Sequence, residues 1–170
     1  MKESDVVVIG GGPAGITAAK TARRNYPEKD ILVIRKEEQV PIPCGIPYIF
    51  GTIDSPQDNI IPDAALENDD IGLLVDKVEK IDKDGKVLEV QSGKEIAYDK
   101  LVITTGSEPV NPPIPGKEKE NVFLIKKSVP YLQEVLDAVD DEDDLVIIGG
   151  GFIGIELGDE CRKRRDTNVK

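Results

Sequence analysis

The sequence predicts an α/β protein built on a parallel sheet, and three residue patterns support this fold class. Two glycine clusters each follow an apolar run directly, VVVIGGGPAG at 6–15 and LVIIGGGFIG at 145–154. A further apolar run follows the first cluster within about 30 residues, as in a strand–helix–strand unit. The turn dipeptides Asp84-Gly85 and Ser92-Gly93 separate three short strand-like runs. These patterns predict alternating strands and helices with a small antiparallel meander.

The first unit is predicted to run from strand to helix to strand. Val6–Ile9 is continuously apolar, which is typical of a strand buried on both faces of a parallel sheet. Alanines near helical spacing predict a helix over about Pro13–Arg24, and Pro27 lies just after its expected end. Ile31–Ile34 then predicts a second buried strand.

The middle of the chain is predicted as loop, meander and strand. Five prolines between residues 39 and 63 indicate a loop with short helical pieces. Val78–Ile81, Val87–Val90 and Glu95–Ala97 predict the meander, and Leu101–Thr104 predicts another buried strand. Residues 107–120 are rich in proline and charge, which favours a linker.

A second unit is predicted to begin near the end of the sequence. Ser128 and the residues up to about Val139 predict a capped helix, and the strand of the second unit starts at Leu145. Its helix is expected to run to about Arg164, so the chain ends where the next strand is due. The second unit is therefore predicted to be incomplete.

Composition excludes several classes of function. Lys plus Arg number 22 and Asp plus Glu number 33, a formal charge of −11, which disfavours nucleic acid and anionic membrane surfaces as partners. The absence of histidine excludes a Ser-His-Asp triad and a His-ligated metal. The acidic run at 140–144 is interpreted as a solvated connection, so no metal site is predicted.

The sequence also predicts a cytoplasmic setting. Strand-like residues follow the first few positions directly, so no signal peptide fits there. No apolar span approaches the ~20 residues that cross a bilayer. Two cysteines, Cys44 and Cys161, make no disulfide framework, which favours a reducing compartment.

The first glycine cluster predicts a dinucleotide site. Gly10, Gly12 and Gly15 have the spacing that allows a tight turn, close approach of a pyrophosphate and close packing of helix on strand. The N-terminus of the following helix adds free N–H groups and the positive end of a dipole.

One position departs from this pattern. An acidic residue that binds a ribose is expected about 20 positions after the glycines, where this sequence has Arg35 followed by Lys36. Glu37 or Glu38 could bind the ribose instead, or Arg35 could contact the adenine or a 2′-phosphate. Arg35 and Lys36 are therefore candidate cofactor residues. The alternative without a role in binding is an exposed arginine at the end of a strand.

The second cluster repeats the same arrangement at Gly149, Gly151 and Gly154, followed by Glu156. The same reasoning predicts a second dinucleotide at the start of the second helix. Two dinucleotide sites in one chain suggest that electrons pass between two cofactors.

Four segments in order resemble the flavin-dependent pyridine nucleotide–disulfide oxidoreductases, over essentially the whole chain. They are DVVVIGGGPAG at 5–15, PCGIPYIFG at 43–51, LVITTGSEP at 101–109 and LVIIGGGFIGIE at 145–156. The sequence is most similar to the single-cysteine branch, which contains coenzyme A-disulfide reductases, NADH oxidases and NADH peroxidases. The resemblance implies a Rossmann-like, three-layer fold that binds FAD and NADH or NADPH.

The resemblance also implies which residues contact the cofactors. FAD is expected to contact Gly10, Gly12, Pro13, Ala14, Gly15, Val78, Thr104, Thr105 and Gly106. NADH or NADPH is expected to contact Gly149, Gly151, Phe152, Ile153, Gly154 and Glu156.

Cys44 is the candidate catalytic residue that the resemblance implies. Electrons would pass from NAD(P)H through FAD to this thiol, and then to a small disulfide, polysulfide, peroxide or oxygen. Cys161 is predicted to be a packing residue. Two alternatives are a reductase of rubredoxin or ferredoxin type, in which Cys44 is inert, and an inactive flavin-binding fragment.

The length predicts a piece of a longer enzyme. Residues 1–110 are assigned to an FAD-binding domain that lacks its returning C-terminal part. Residues 111–170 are assigned to a linker and the start of an NAD(P)-binding domain. For the full-length enzyme the resemblance implies a homodimer.

Overall fold

The computed structural model describes residues 2–140, 144–164 and 168–170. The chain forms two compact units. The first contains Met1–Val40 and Ile61–Ser107, and the second contains Pro41–Ile60 and Glu108–Lys170. No helix among the described residues has both the length and the apolar character that a membrane span requires.

The first unit is built on a six-stranded mixed sheet. Its strands are β1 (Lys2–Ile9), β2 (Ile31–Arg35), β3 (Gly72–Val75), β4 (Val78–Asp82), β5 (Val87–Val90) and β6 (Glu95–Ile103). Their spatial order is β3-β2-β1-β6-β5-β4. Neighbours among β3, β2, β1 and β6 are parallel, whereas β4, β5 and β6 form an antiparallel meander.

Alternate residues of the central strands belong to two different apolar clusters, because successive side chains of a strand point to opposite faces of the sheet. Val8 and Val33 belong to one cluster, which includes residues of helix α1 (Pro13–Asn25) and of the short helix α2 (Ala64–Glu67). The other cluster combines meander residues with four residues of β1 and β2, namely Val7, Ile9, Leu32 and Ile34. Helices, parallel strands and meander together confirm the predicted α/β fold class.

Two strands are longer than their apolar patterns predict. β1 begins at Lys2 because it pairs with β6 along its length, and Ser4 is buried there while its hydroxyl donates to Asp30 Oδ2 at 2.9 Å. β6 runs unbroken from Glu95 to Ile103, although the sequence predicts two separate strands. Polar residues interrupt its apolar pattern, but backbone pairing with β5 at its start and β1 along its length continues across them.

The second unit places helices and turns around its own apolar cluster. Three 3₁₀ turns, Pro43–Gly45, Pro47–Phe50 and Pro56–Asn59, confirm the predicted loop with short helical pieces. The longer elements are α3 (Val129–Asp140), β7 (Asp144–Leu145), α4 (Phe152–Arg164) and β8 (Asn168–Val169). The predicted linker at 107–120 contains no helix or strand.

The next strand of the second unit begins just before the end of the sequence, as β8. β8 pairs in parallel with β7, and the Lys170 N–H donates to the Leu145 carbonyl at 2.9 Å. Two residues are too few to show a strand period, so only backbone pairing reveals this element. Within the acidic run at 140–144, residues 141–143 lie outside the described residues.

Candidate functional site: two glycine turns and a cysteine loop

The first glycine turn packs backbone directly against backbone. Gly10 has a φ of +116°, and a Cβ placed there would lie 2.2 Å from the Thr104 carbonyl oxygen. A Cβ on Gly15 would lie 1.9 Å from the Gly10 carbonyl oxygen, far inside van der Waals contact. Gly12, by contrast, has no atom of a described residue within 4 Å of its Cβ position, apart from its neighbours in the chain. Two glycines therefore close the turn, and the third leaves open space beside the backbone.

The helix behind this turn begins without a side-chain cap. Gly12 is the N-cap residue of α1, Pro13 is the first helical residue, and the first turn contains no acidic side chain. The Ile16 N–H donates to the Gly12 carbonyl at 3.0 Å, while the N–H groups before it precede the helical hydrogen-bond ladder. Uncapped N–H groups and the helix dipole favour an anion, so the turn fits a pyrophosphate.

The second glycine turn repeats the contact within the first, although no described residue lies against Gly149 as Thr104 lies against Gly10. Gly149 has a φ of +123°, and a Cβ on Gly154 would lie 2.0 Å from the Gly149 carbonyl oxygen. The Ile155 N–H donates to the Gly151 carbonyl at 3.0 Å, as Ile16 does to Gly12 in the first turn. The sequence repeat is thus also a structural repeat, and it fits the pyrophosphate of a second dinucleotide.

Residues around the second turn are exposed. Phe152, Ile153 and Glu156 lie on the surface in the first part of α4, and the side chain of Phe152 is 88% exposed. Their predicted contacts with NADH or NADPH stay predictions.

Other residues predicted to contact FAD lie along the first unit. The Thr104 hydroxyl donates to the Ile9 carbonyl at 2.9 Å and thereby joins the end of β6 to the end of β1. Thr105 and Gly106 follow in exposed positions, with Gly106 at a φ of +77°. Val78 is partly buried against the meander side of the sheet. Thr104 therefore lies beside the first glycine turn, and these residues stay candidates for FAD contact.

Arg35 is buried, so its interpretation as an exposed strand-end residue is wrong. Its Nε donates to the Glu37 carbonyl at 2.8 Å, and its Nη1 donates to Asp63 Oδ1 at 2.6 Å. The neighbouring Lys36 is exposed and pairs with Glu37 at 3.3 Å. Because Asp63 lies 28 positions further along the chain, no local pattern could have predicted this ion pair.

Cys44 is exposed in a 3₁₀ turn, and the buried side chain of Asn59 supports this turn. The Asn59 Nδ2 donates to the Ile42 carbonyl at 3.0 Å, and the Ile42 N–H donates to the Asn59 carbonyl at 2.9 Å. A Cβ on Gly45 would lie 1.9 Å from Asn59 Oδ1, so only glycine fits after the cysteine. The Pro-Cys-Gly turn is thus supported on both sides of an accessible thiol.

Cys161 is a packing residue, as predicted. It lies in the apolar cluster of the second unit, with Ile46, Phe50 and Leu136. Burial, followed by the charge of Glu160, raises the pKa of the Cys161 thiol to about 11. Both cysteines are free thiols, and Cys44 is the exposed one. Because Cys161 is buried and its pKa is raised, its thiol is inert near neutral pH.

A buried carboxylate, which no local sequence pattern indicates, joins the cysteine segment (residues 43–52) to α4. Glu160 is 3% exposed, and its Oε2 accepts from the Thr52 N–H at 2.9 Å and the Thr52 hydroxyl at 2.6 Å. Its Oε1 accepts from Lys163 at 2.8 Å. A Cβ on Gly51 would lie 2.3 Å from the Glu160 carbonyl oxygen, so the two backbones are in close contact. In the 3₁₀ turn at 47–50, which follows Cys44, Pro47, Ile49 and Phe50 are buried.

Glu160→Gln is expected to lower the free energy of unfolding by about 2 kcal/mol at pH 7, because a buried charged acceptor loses strong hydrogen bonds. Burial alone raises the pKa of Glu160, but the bonds from Lys163 and Thr52 outweigh it and hold the pKa below its usual value. The stabilisation is therefore present above the unfolded pKa of about 4.3 and is lost as the pH falls below it.

Urea unfolding at pH 7 and pH 3 measures this effect. The matched control is Asp159→Asn, which removes a neighbouring carboxylate that is 65% exposed and also pairs with Lys163. That variant should stay within about 0.5 kcal/mol of the wild type. Equal losses in the two variants, or a Glu160→Gln loss unchanged at pH 3, would contradict the argument.

Comparison with known proteins indicates the same class of protein as the two glycine turns. The family model described as pyridine nucleotide-disulphide oxidoreductase matches residues 4–169. The chain is 35% identical to an NADH oxidase of Enterococcus faecalis, over 89% of this chain and 36% of the relative. It is also 35% identical to the NAD(P)H coenzyme A polysulfide/persulfide reductase of Pyrococcus horikoshii, over 91% of this chain and 36% of the relative. The chain thus spans little more than a third of these relatives.

A solved structure extends the likeness to three dimensions. The NAD-dependent persulfide reductase of A. fulgidus superposes with a TM-score of 0.85 at 30% identity, covering 97% of this chain and 33% of that one. The two glycine turns on an α/β scaffold have the form typical of dinucleotide-binding proteins. With the family match over residues 4–169, the chain belongs to the pyridine nucleotide-disulphide oxidoreductase family.

Proposed function

We propose that this chain is the part of a flavoprotein oxidoreductase that binds FAD and NAD(P)H and carries the redox thiol. One observation carries the proposal: two glycine turns of matching geometry occur in one chain together with an exposed cysteine in a braced turn. Paired dinucleotide turns suit transfer of electrons between two cofactors, and an accessible thiol suits their delivery to sulfur.

The first turn would hold the FAD pyrophosphate at Gly10, Gly12 and the start of α1. The second turn would hold the pyrophosphate of NADH or NADPH at Gly149, Gly151 and the start of α4. FAD, when bound, supplies the two-electron carrier between nicotinamide and thiol. The protein's own part is to bind both pyrophosphates through backbone N–H groups and to present one thiol.

Cys44 would act as the nucleophile towards a small sulfur compound. Its thiolate attacks one sulfur of the substrate RS–SR, forms Cys44–S–S–R and releases RS⁻. Two electrons from NAD(P)H and one proton then return this mixed disulfide to the Cys44 thiolate and RSH. With a peroxide ROOH, the same thiolate would attack the terminal oxygen, break the O–O bond, release RO⁻ and become a sulfenic acid, which two electrons and two protons return to thiol and water.

The acceptor is proposed as a small disulfide or polysulfide, a peroxide or oxygen. The names of the relatives support this class, since they include an NADH oxidase and a polysulfide/persulfide reductase. We also propose a domain boundary near residue 110, a homodimeric full-length enzyme and a cytoplasmic location. The large share of the relatives that this chain does not span supports a longer enzyme.

The proposal is tested by adding FAD to the purified full chain and removing unbound flavin. We expect one FAD per chain, a visible spectrum typical of a flavoprotein, and bleaching when NADH or NADPH is added without oxygen. Coenzyme A disulfide, polysulfide and oxygen are then supplied separately to see which restores the colour. Failure to retain flavin, or flavin that neither nucleotide reduces, would overturn the proposal.

A further inference from the structure

The end of β2 lacks the acidic residue that its position calls for. A nucleotide-binding unit of this type places a carboxylate about 20 residues after the glycines, where it binds a ribose hydroxyl. Arg35 occupies that place, and its positive side chain has no lone pair to accept a hydroxyl proton. Another acceptor must therefore serve the ribose if the turn binds a dinucleotide.

Arg35 connects the glycine turn to Asp63. Its aliphatic stem covers the turn, since a Cβ on Gly11 would lie 2.6 Å from Arg35 Cδ. Its head donates to both carboxylate oxygens of Asp63, from Nη1 at 2.6 Å and from Nη2 at 3.1 Å. This bidentate pairing fixes the plane of the carboxylate as well as its distance from the turn.

The guanidinium has little capacity for a further anion. Nε and Nη2 also donate to the carbonyls of Glu37 and Glu38, so four of about five donors are engaged. A 2′-phosphate would have to displace Asp63 or the loop backbone. The arrangement therefore disfavours a phosphate on Arg35 and favours a role for Arg35 in holding Asp63.

Asp63 keeps room to accept further hydrogen bonds. Arg35 is 3% exposed, but the Asp63 side chain is 43% exposed, so the carboxylate faces solvent on one side. A carboxylate has about four acceptor sites, of which Arg35 takes two. The free sites are the ones that a sugar hydroxyl could use.

We propose that Asp63, positioned by Arg35, is the carboxylate that binds the ribose hydroxyls of the adenosine part of FAD at the first glycine turn. Asp63 thus replaces the missing acid at position 35 from a distant point in the sequence. The inference rests on the proposed function, because it assigns one contact within the proposed FAD site.

Two neighbouring acids are the competing assignments. Glu37 pairs with the exposed Lys36 at 3.3 Å, and Glu38 contributes its backbone carbonyl to Arg35. Neither side chain is held by Arg35 as Asp63 is. Glu37→Gln and Glu38→Gln therefore serve as matched controls, with the same change from carboxylate to amide in the same region.

The test measures FAD affinity by flavin fluorescence in the full chain. Asp63→Asn should raise the Kd for FAD about tenfold or more, as expected for loss of a charged hydrogen-bond acceptor. Glu37→Gln and Glu38→Gln should stay within about twofold of the wild type. FAD is then displaced by ADP and by 2′,3′-dideoxy-ADP, and the difference in affinity between these two competitors measures the contribution of the ribose hydroxyls. The wild type should prefer ADP, and Asp63→Asn should lose that preference.

A double variant tests the positioning role of Arg35. Arg35→Gln should weaken FAD binding and reduce the preference for ADP, since Asp63 is no longer held. Arg35→Glu combined with Asp63→Asn should recover FAD affinity, because a carboxylate returns to the end of β2. Thermal unfolding of each variant verifies that the unit is folded.

The outcomes separate the two proposals. A wild-type chain that binds no FAD overturns the proposed function and this inference with it. A wild type that binds FAD, with unchanged affinity and ADP preference in Asp63→Asn, overturns the inference alone. Loss of the ADP preference in Glu37→Gln or Glu38→Gln, or no recovery in the folded double variant, also overturns it.

Discussion

Replacing Cys44 with serine is expected to lower NAD(P)H-dependent reduction of coenzyme A disulfide by at least about 10³-fold in the flavin-loaded protein. A serine hydroxyl does not ionise near neutral pH, so it cannot form the sulfur–sulfur bond on which thiol exchange depends. The exposed turn at residues 43–45 should tolerate the change, because the serine is nearly isosteric and the brace from Asn59 contacts the neighbouring residues. Steady-state consumption of NADH with each acceptor measures the effect.

Cys161→Ala is the matched control, since it removes the other thiol of the chain. It should keep disulfide reduction and instead lower stability, because it leaves a space in the apolar cluster of the second unit. Iodoacetamide at pH 8 should label Cys44 and spare Cys161, whose pKa is about 11. If Cys44→Ser retains full disulfide reductase activity, the thiol mechanism fails, and a reductase of rubredoxin or ferredoxin type is favoured.

Gly15→Ala is expected to destabilise the first unit by about 2–3 kcal/mol and to abolish measurable FAD binding. The new methyl group would lie 1.9 Å from the Gly10 carbonyl oxygen, and backbone atoms cannot move aside as a flexible side chain can. Alanine is otherwise the better helix former by about 1 kcal/mol, so a net loss of stability reports on the close packing of α1 against the turn at Gly10. Urea unfolding and FAD titration measure the two effects.

Gly12→Ala is expected to weaken FAD binding without lowering stability. Apart from the chain neighbours of Gly12, no atom of the described part of the chain lies within 4 Å of the added Cβ, and the φ of −77° at Gly12 suits alanine. Stability should therefore stay near that of the wild type, while FAD affinity falls because the methyl group occupies the approach of the pyrophosphate. Unchanged FAD affinity in Gly12→Ala would place the phosphate elsewhere, and wild-type stability in Gly15→Ala would contradict the close packing.

The order of elements in the first unit could be predicted because its signals are local. An apolar run, a glycine turn, an alanine-rich helix and a second apolar run each show their own period within a few residues. The ends of β1 and β6 could not be predicted in this way. Their polar residues join the sheet through backbone pairing with distant strands, and the apolar pattern does not record such pairing.

In the candidate site, too, local features could be predicted from the sequence and distant partners could not. Both glycine turns could be predicted, since at Gly15 and Gly154 a carbonyl oxygen five residues earlier leaves room only for glycine. The partners that complete the site could not, because Asp63 lies 28 positions from Arg35 and Glu160 lies 108 positions from Thr52. In each case a buried or half-buried charge finds a partner that only folding brings near.

The sequence by itself therefore determined the α/β class, the two glycine turns and the candidate thiol. These depend on chain stereochemistry and on the residue types that a tight turn or a nucleophile requires. The tertiary structure alone decided that Arg35 is buried on Asp63, that Asn59 braces the Cys44 turn, and that Glu160 ties the cysteine segment to α4. Buried polar groups must be satisfied, and their partners are set by proximity in the fold rather than by spacing along the chain.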